Sequence, residues 1–414
     1  MRAILSAPGS RGDVNPMVAI GAALKRRGFD VVISLAEPYA KVAEDAGLIV
    51  EPVIDADRFA ELLSNPAVWK PIRGARAIFR EVAGDFLPKH AEVIRRHHVP
   101  GETILVSHPL DLASRIHREV DPATPLVDVH LAPSMLRTFD DPPRMSPWPF
   151  ELQRPQWLLR SAYWLADKIA VDPMIAGTVN RVRAEHGLAP ISRVIHDWWL
   201  SPDRILAMYP KWYAPATVSF APRLVHCGFP LHDAVADDPT GPPHNLPCNR
   251  PIVFTAGTAH HHCGEFFSAA AAACQRLDRP GVLVSTHAKN FPNRLPPQVT
   301  TAGYVSFADL FPLASAVIHH GGIGTTSQCF SAGVPQIIRP MAFDQFDNTS
   351  RVERLNCGRW LRNDRHLAET LDAVLGDPAI ARSSHQISQR IERDAVERAA
   401  SEIHSLIVNP NATQ

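Results

Sequence analysis

Short apolar runs alternate with longer helix-compatible segments along most of this chain. The first run, residues 2–7, is followed by a glycine-containing loop at 9–16, a helical segment at 17–27 and a second apolar run at 30–35. Apolar runs of this length are typical of strands that are buried on both faces of a parallel sheet. The pattern therefore predicts a parallel, doubly wound domain at the start of the chain.

The alternation stops near the middle of the chain and then restarts. Residues 237–251 are rich in proline and polar side chains, which favours a linker. We expect an N-terminal domain at 1–236 and a C-terminal domain at 252–414, which agrees with the length of 414 residues because one hydrophobic core rarely serves so long a chain. Further strands are predicted at 104–107, 126–129, 252–256 and 281–285, with helices at 265–277 and within 363–407.

The most informative stretch covers residues 317–348 and reads VIHHGGIGTTSQCFSAGVPQIIRPMAFDQFDN. It predicts a strand, a glycine loop, a helix that stops at Gly333, and a strand at 336–338. The start of such a helix has unpaired N–H groups and a partial positive charge, so it favours a phosphate. His319 and Thr325 add side-chain donors, and Asp344 with Gln345 offers acceptors that suit sugar hydroxyls.

This stretch resembles the donor-binding signature of family 1 nucleotide-sugar glycosyltransferases. The residues that carry the resemblance are, in order, His319, Gly321, Thr325, the turn at 333–335, and Asp344 with Gln345. The resemblance implies an α/β protein of GT-B architecture, in which two Rossmann-like domains face a crevice and the final helix returns to the N-terminal, acceptor-binding domain. It also implies a cytoplasmic enzyme without a cofactor beyond a dTDP- or UDP-sugar, and without a metal, because the helix start and His319 neutralise the diphosphate. The implied ligands of the diphosphate are His319, Gly321, Gly322, Gly324, Thr325, Gly257 and Thr258; those of the sugar are Asp344 and Gln345; those of the nucleobase are Tyr304 and Val305.

A catalytic base is expected on the first loop. Many family members carry Gly-His-x-x-Pro there, with histidine as the base, whereas this chain has Gly12-Asp13-Val14-Asn15-Pro16. Asp13 is therefore the predicted base, and partial burial is expected to raise its pKa. The alternative is that Asp13 only caps the following helix. His108, after the strand at 104–107, could approach the same region.

Two features bear on the substrates. Plant members place a glutamate, which holds the ribose hydroxyls of UDP, eight residues after the diphosphate histidine; counting from His319 gives Ser327, which is compatible with a deoxyribose donor. Seven of the eight tryptophans precede residue 215, which suggests either an aromatic acceptor cleft or plain packing. Several segments, including 9–16, 198–215, 227–231 and 344–348, also resemble bacterial rhamnosyltransferases that join dTDP-L-rhamnose to hydroxy fatty acids. A lipophilic, hydroxylated acceptor and a rhamnosyl donor are therefore expected.

Composition narrows the remaining classes. Lys plus Arg equals Asp plus Glu at 42 each, which offers no electrostatic footprint for nucleic acid. No stretch is long enough for a transmembrane span or resembles a signal peptide, although peripheral membrane contact stays open. The Asp-x-Asp at 55–57 reads as a helix cap, and His260, His261 and His262 point in different directions, which disfavours a metal site. A GT-B-fold epimerase and a non-catalytic nucleotide-sugar-binding subunit remain as alternatives.

Overall fold

The structure is a computed structural model that describes residues 1–69, 71–146, 155–215, 220, 222–231, 250–257 and 263–408. It contains two compact units. Unit 1 comprises Met1–Pro143, Pro147–Pro230 and Asp394–Gln414, and unit 2 comprises Arg144–Ser146 and Leu231–Arg393. Most of the segment for which a linker was predicted, 237–249, lies outside the described residues.

Unit 1 is built on a parallel sheet of seven strands in the order β3-β2-β1-β4-β5-β6-β7. The side chains of β1, β4 and β5 are buried almost throughout, because helices cover both faces of the sheet. The strands are β1 (Arg2–Ala7), β2 (Asp30–Ala36), β3 (Ile49–Ile54), β4 (Thr103–Ser107), β5 (Leu126–His130), β6 (Arg204–Ala207) and β7 (Leu224–His226). The helices are α1 (Arg11–Arg26), α2 (Ala40–Asp45), α3 (Ala56–Ser64), α4 (Pro71–Glu81), α5 (Leu87–His97), α6 (Leu112–Val120), α7 (Gln156–Ala166) and α8 (Asp172–Glu185).

Unit 2 repeats the doubly wound pattern with six parallel strands in the order β10-β9-β8-β11-β12-β13. Its strands are β8 (Ile252–Thr255), β9 (Gly281–Val284), β10 (Val299–Ala302), β11 (Ala316–His319), β12 (Gln336–Ile338) and β13 (Gly358–Trp360). Its helices are α9 (Gly264–Leu277), α10 (Phe307–Leu310), α11 (Ile323–Ala332), α12 (Gln345–Arg354), α13 (Leu367–Gly376) and α14 (Pro378–Ser388).

The last helix, α15 (Ala395–Val408), belongs to unit 1, where it packs against α1. Its buried side chains, among them Ala399 and Ile403, face this contact side of the helix, and the ring of His404 meets Phe29 edge-on at 5.7 Å. Across the described residues, no helix is both long enough and apolar enough to span a membrane.

The start of α1 differs from the prediction. A loop was expected up to Pro16, because proline usually interrupts a helix, but α1 begins at Arg11 and continues through Pro16. Ser10 stands at the N-cap position and its N–H donates to Oδ2 of Asp13 at 2.9 Å, which replaces one missing helical partner. Asp13 therefore lies in the first turn of the helix and not on a loop before it.

The expected cap at Asp55 is confirmed, since its carboxylate accepts from the N–H of Arg58.

Candidate functional site

The strand order of unit 2 creates a crevice at the carboxyl edge of its sheet. Strands β8 and β11 are neighbours, yet their connections run to opposite sides of the sheet, because β9 and β10 lie beyond β8 while β12 and β13 lie beyond β11. Ligands of doubly wound folds bind at this switch point. The loop with Gly257 follows β8, and the loop from His320 to Gly322 follows β11, so the fold places both predicted phosphate loops there.

The two consecutive histidines of this loop have different surroundings. His319 is fully buried: its Nδ1 accepts from the N–H of Gly321 at 3.1 Å, and its Nε2 lies 3.0 Å from Oε1 of Gln336 on β12. Burial lowers the pKa of His319 to about 3, so the ring is neutral and its Nε2–H donates to Gln336. His319 therefore shapes the loop, and its direct contact with a diphosphate stays a prediction.

His320 points towards the glycines, because consecutive side chains at the end of a strand face opposite directions. A Cβ atom at Gly257 would come within 2.6 Å of Cε1 of His320, and one at Gly322 within 2.5 Å of its Nε2. The imidazole thus lies between the two loops, in space that only glycine leaves open. Burial lowers the pKa of His320 to about 4, so this ring is also neutral near pH 7. From the sequence, the first histidine of this doublet was named as a diphosphate ligand and the second was not considered.

The loop glycines fall into two groups. Gly321 has φ +91°, and a Cβ there would lie 2.6 Å from Ile338, so this position requires glycine. At Gly324, in the first turn of α11, a Cβ would have no atom of the described residues within 4 Å. The backbone of this turn is therefore open to an approaching ligand, as a phosphate site requires. Thr325 follows within the same turn and is buried, and Thr258 lies outside the described residues.

Asp344 closes the crevice from the β12 side. Its Oδ2 accepts from the N–H of Ile323, the first residue of α11, at 3.3 Å and from Nδ2 of Asn348 at 2.7 Å. Gln345 is buried, and its Oε1 accepts from the N–H groups of Met341 and Ala342 at 2.7 and 3.1 Å. The structure thus brings Asp344 to the start of the glycine-loop helix, while Gln345 holds the preceding loop.

The remaining predicted donor residues lie on neighbouring segments. Tyr304 and Val305 come shortly after β10, the outermost strand of the unit 2 sheet, at the carboxyl ends of the strands. Tyr304 is half-buried, whereas Val305 packs in a hydrophobic cluster with Leu310 and Phe311. The buried hydroxyl of Ser327 donates to the carbonyl of Gly324 at 2.8 Å. Counted from His320 instead of His319, the position eight residues on is Gln328, whose amide can bond a ribose hydroxyl.

Unit 1 has an equivalent switch point between β1 and β4, where Asp13 and His108 lie close together. Asp13 is in the helix that follows β1, and His108 directly follows β4. Nε2 of His108 lies 3.4 Å from Oδ1 of Asp13. Nδ1 of His108 accepts from the N–H of Leu110 at 3.2 Å, so in the neutral ring the proton is on Nε2 and points towards Asp13.

The pKa of Asp13 moves in the direction opposite to the expectation. Burial by itself raises this pKa, but the hydrogen bond and charge of His108, together with the Ser10 donors, outweigh it and lower the pKa below its usual value of 3.8. The side chain is 34% exposed, so solvent still reaches it. A Cβ at Gly9 would lie 2.0 Å from Oδ2 of Asp13, so the carboxylate folds back over this glycine. Asp13 is thus an ionised carboxylate that caps α1 with one oxygen and faces His108 with the other.

His130, at the end of β5, is a second histidine of this edge that sequence reasoning missed. It is fully buried, and within the described part of the chain neither ring nitrogen has a hydrogen-bond partner. Burial, followed by the charge of His108, lowers its pKa to about 3. The signal in the sequence was its position directly after a predicted strand, as for His108.

An apolar groove of about 600 Å³ lies on unit 1 beside α7. It is lined by Phe139, Arg160, Ser161, Trp164, Leu165, Arg193 and His196. The tryptophans divide between the two expectations: Trp198 and Trp199 are buried in the core, whereas Trp164 is 48% and Trp157 66% exposed. Trp148 lies outside the described residues. Such exposed rings on one helix favour a binding surface over packing.

Two doubly wound parallel-sheet units, one with a glycine loop at its switch point, define the GT-B architecture. The comparisons agree. Residues 3–97 match the glycosyltransferase family 28 N-terminal domain, and residues 269–404 match the erythromycin biosynthesis protein CIII-like C-terminal domain. The O-mycaminosyltylonolide 6-deoxyallosyltransferase of Streptomyces fradiae is 27% identical over 437 residues, which cover 94% of each chain.

Solved structures share the whole fold. The glycotransferase of kitacinnamycin superposes with a TM-score of 0.72 at 18% identity over 98% of each chain, and the spinosyn rhamnosyltransferase SpnG complexed with thymidine diphosphate with 0.66 at 18% over 98% and 100%. A sterol 3-beta-glucosyltransferase of Candida albicans is 24% identical, but the match spans only 26% of that protein. The chain is a glycosyltransferase of the GT-B fold, related to bacterial natural-product glycosyltransferases.

Proposed function

We propose that this glycosyltransferase moves a deoxyhexose, with rhamnose as the first choice, from a dTDP-sugar to a hydroxyl of a lipophilic small molecule, with inversion and without a metal ion. UDP is the alternative nucleotide. The observation that carries the proposal is the pair of switch points, one with a phosphate-type glycine loop and one with an ionised carboxylate. The two sites supply the leaving-group and proton-transfer halves of a glycosyl transfer.

The donor diphosphate would bind the first turn of α11. Its ligands would be the N–H groups around Gly322, Gly324 and Thr325, with Gly257 and Thr258 from the neighbouring loop. A helix N-terminus stabilises the negative charge that grows on the leaving diphosphate, which is the reason that no metal is needed. His320 lies between the two loops and adds a neutral donor, while His319 maintains the loop conformation.

The sugar and nucleoside would occupy the neighbouring loops. Asp344, at the start of α11, would accept from sugar hydroxyls, and Gln345 would act with it or through the loop that it holds. Tyr304 would stack on the base, and Val305, whose side chain is in the core, would contribute only its backbone. The relatives support a deoxysugar and a thymidine nucleotide: one is named a 6-deoxyallosyltransferase and another is complexed with thymidine diphosphate.

Asp13 would take the proton of the acceptor hydroxyl. As the acceptor oxygen attacks the anomeric carbon, the bond from that carbon to the diphosphate oxygen breaks on the opposite face, and the single displacement inverts the configuration. The capping bonds use Oδ2 and His108 faces Oδ1 with a single N–H, so Oδ1 keeps one lone pair for the proton of the acceptor. His108 is not suited to be the base in this tautomer, since its Nδ1 accepts from Leu110 and its Nε2 carries the proton. It would orient Asp13 instead.

The acceptor would bind the groove beside α7. Its volume of about 600 Å³ lies within the range of roughly 300–1,000 Å³ found for small-molecule pockets. Phe139, Trp164 and Leu165 provide an apolar surface, and the half-buried His196 has a pKa lowered by burial and by the charge of Arg193, so it contributes no positive charge near pH 7. The apolar surface favours a lipophilic aglycone.

A binding panel tests the donor half of the proposal. Isothermal titration of the full chain with dTDP-rhamnose, dTDP-glucose, UDP-glucose and UDP-rhamnose, each with and without EDTA, should give the tightest binding for dTDP-rhamnose and no effect of EDTA. Tighter binding of UDP-sugars would reassign the nucleotide. Failure of every nucleotide sugar to bind would overturn the donor site.

Product analysis tests the transfer half and separates the alternatives. Incubation with dTDP-rhamnose and a panel of hydroxylated lipids and polyketide aglycones should yield a rhamnoside whose anomeric configuration is opposite to that of the donor. An epimerase would convert the donor sugar without any acceptor. A non-catalytic subunit would bind the donor and form no product, and Asp13→Asn would then change nothing.

A further inference from the structure

Two histidines and an aspartate form a cluster at the opposite edge of the unit 1 sheet, away from Asp13 and His108. His98 follows α5 and precedes β4, while His117 and Asp121 lie at the end of α6, before β5. One potential ligand atom from each of the three residues lies within 4.8 Å of the other two. We propose that this cluster is a binding site for a zinc-class divalent transition-metal ion, separate from the transfer reaction.

The distances suit tetrahedral coordination. Two ligand atoms of a tetrahedral zinc ion, with bonds of about 2.0–2.1 Å, lie about 3.3–3.4 Å apart. Nε2 of His98 lies 3.4 Å from Oδ2 of Asp121, and the rings of His98 and His117 meet edge-on with their centroids 4.7 Å apart. Two imidazoles and one carboxylate are a zinc-type donor set, and a water molecule would complete the four ligands.

His117 supplies the second, independent observation. Its Nε2 is inaccessible to solvent and, among the residues that the structure describes, has no hydrogen-bond partner. Leaving a buried donor or acceptor unpaired is costly, so such an atom calls for a ligand. A metal ion bound beside His98 and Asp121 would provide one.

The site lies at the C-terminus of α6, where the helix dipole favours a positive charge.

Neighbouring groups already orient the ligands. The N–H of Ala123 donates to Oδ1 of Asp121 at 3.1 Å, which leaves Oδ2 directed at the cluster. The hydroxyl of Thr124 lies 2.6 Å from Oδ2 of Asp121 and 2.7 Å from Nε2 of His98, so it occupies the position between them. Because this hydroxyl donates to Asp121, it accepts from Nε2–H of His98. On metal binding the hydroxyl would keep its bond to Asp121, and the Nε2 proton of His98 would move to Nδ1 or to solvent so that Nε2 can bind the ion. The ion would then tie the segment before β4 to the segment before β5.

Titration with zinc chloride tests the proposal. The full chain, freed of metal with a chelator and then dialysed, should bind one equivalent of Zn²⁺ and unfold at a higher temperature when the ion is present. His117→Ala and Asp121→Asn should each weaken binding by more than the roughly 10–100-fold that is typical of a lost second-shell contact, and should remove the thermal shift. Thr124→Ala, which removes only the bridging hydroxyl, should still bind.

Matched controls locate the ion. His97→Gln changes the adjacent histidine, which pairs with Glu51 at 2.6 Å outside the cluster, and should leave the Zn²⁺ affinity unchanged. Replacement of His260, His261 and His262 by glutamine should also leave it unchanged. Circular dichroism checks the fold of each variant, and His117→Gln replaces His117→Ala if the latter fails to fold. Absence of Zn²⁺ binding by the wild-type chain, or equal binding by the His117 variant, would overturn the proposal.

Discussion

Nε2 of His108 lies 3.4 Å from Oδ1 of Asp13, although the two residues are far apart in the sequence. Strands β1 and β4 are neighbours in the sheet, and the N–H of His108 donates to the hydroxyl of Ser6 on β1 at 3.1 Å, which fixes the ends of the two strands together. The pair lies where a doubly wound sheet places its ligands. Its geometry assigns different tasks to the two side chains, and the first two predictions separate them.

Asp13→Asn should remove turnover and leave donor binding intact. The amide keeps the size of the carboxylate but cannot take a proton, so kcat should fall by about 10²–10⁴-fold, the usual contribution of a general base. The dissociation constant for dTDP, measured by titration calorimetry, should stay the same. Asp57→Asn, in the first turn of α3, is the matched control and should keep full activity. A normal kcat in the Asp13 variant would remove it from the mechanism.

His108→Gln should move the acid limb of the pH–rate profile to higher pH. His108 is the main partner that lowers the pKa of Asp13, so without it this pKa should rise. The pH dependence of kcat/KM reports the change. A lost rate with an unmoved profile would instead mean that His108 acts only through packing.

The lowered pKa of Asp13 also makes the free energy of unfolding depend on pH. Because the folded-state pKa of Asp13 is below its unfolded value, its contribution to the free energy of unfolding is present above pH 3.8 and is lost as the pH falls through the lower, folded value. His108→Gln should reduce this contribution, so the difference in Tm between wild type and variant should narrow below pH 3.8. A difference that stays constant down to pH 2 would contradict this account.

The two histidines of the donor loop should respond differently to alanine. His319→Ala breaks the bonds to Gln336 and Gly321 inside the core and should lower the free energy of unfolding by about 1–3 kcal/mol. His320→Ala should leave stability nearly unchanged and weaken dTDP binding at least tenfold, because its ring lies between the two phosphate-side loops. Urea unfolding and calorimetry measure the two effects. The reverse result would restore His319 as the diphosphate ligand.

Gln328→Glu should shift nucleotide preference towards UDP. The resemblance to family 1 implies a ribose-binding position that falls on Gln328 when it is counted from His320. A carboxylate accepts more strongly from a 2′-hydroxyl than an amide does. The ratio of the UDP and dTDP dissociation constants should change in favour of UDP by several-fold. Ser327→Ala is the control, because Ser327 is the position eight residues after His319. It should leave the ratio of the UDP and dTDP dissociation constants unchanged.

The helix that follows Asp344 depends on a buried ion pair. Nε of Arg351 lies 2.7 Å from Oδ2 of Asp347, and both side chains are almost fully buried within α12. Asp347→Ala would remove this buried ion-pair partner of the guanidinium and should cost about 3–5 kcal/mol in the free energy of unfolding. Asp394→Ala, which breaks the exposed pair with Arg398 at the same i, i+4 spacing, should cost at most about 1 kcal/mol. Equal losses from both variants would contradict the role of burial.

The sequence alone determined the elements and the order of the motifs. The strands at Arg2–Ala7 and Gln336–Ile338 were predicted to the residue, because buried parallel strands are continuous apolar runs bounded by glycine and proline. Two doubly wound domains were predicted for the same reason and are confirmed. The first helix was placed too late, since the pattern could not reveal that Ser10 and Asp13 would support a start before Pro16.

Only the tertiary structure decided what the individual polar residues do. Spacing cannot distinguish His319 from His320, because which of two adjacent side chains enters the core depends on the register of β11 between β8 and β12. The pKa of Asp13 was expected to rise with burial and instead falls, because the fold brings His108 from another strand to its free oxygen. Local pattern specifies local structure, whereas the charge, tautomer and direction of a side chain depend on partners that are remote in the sequence.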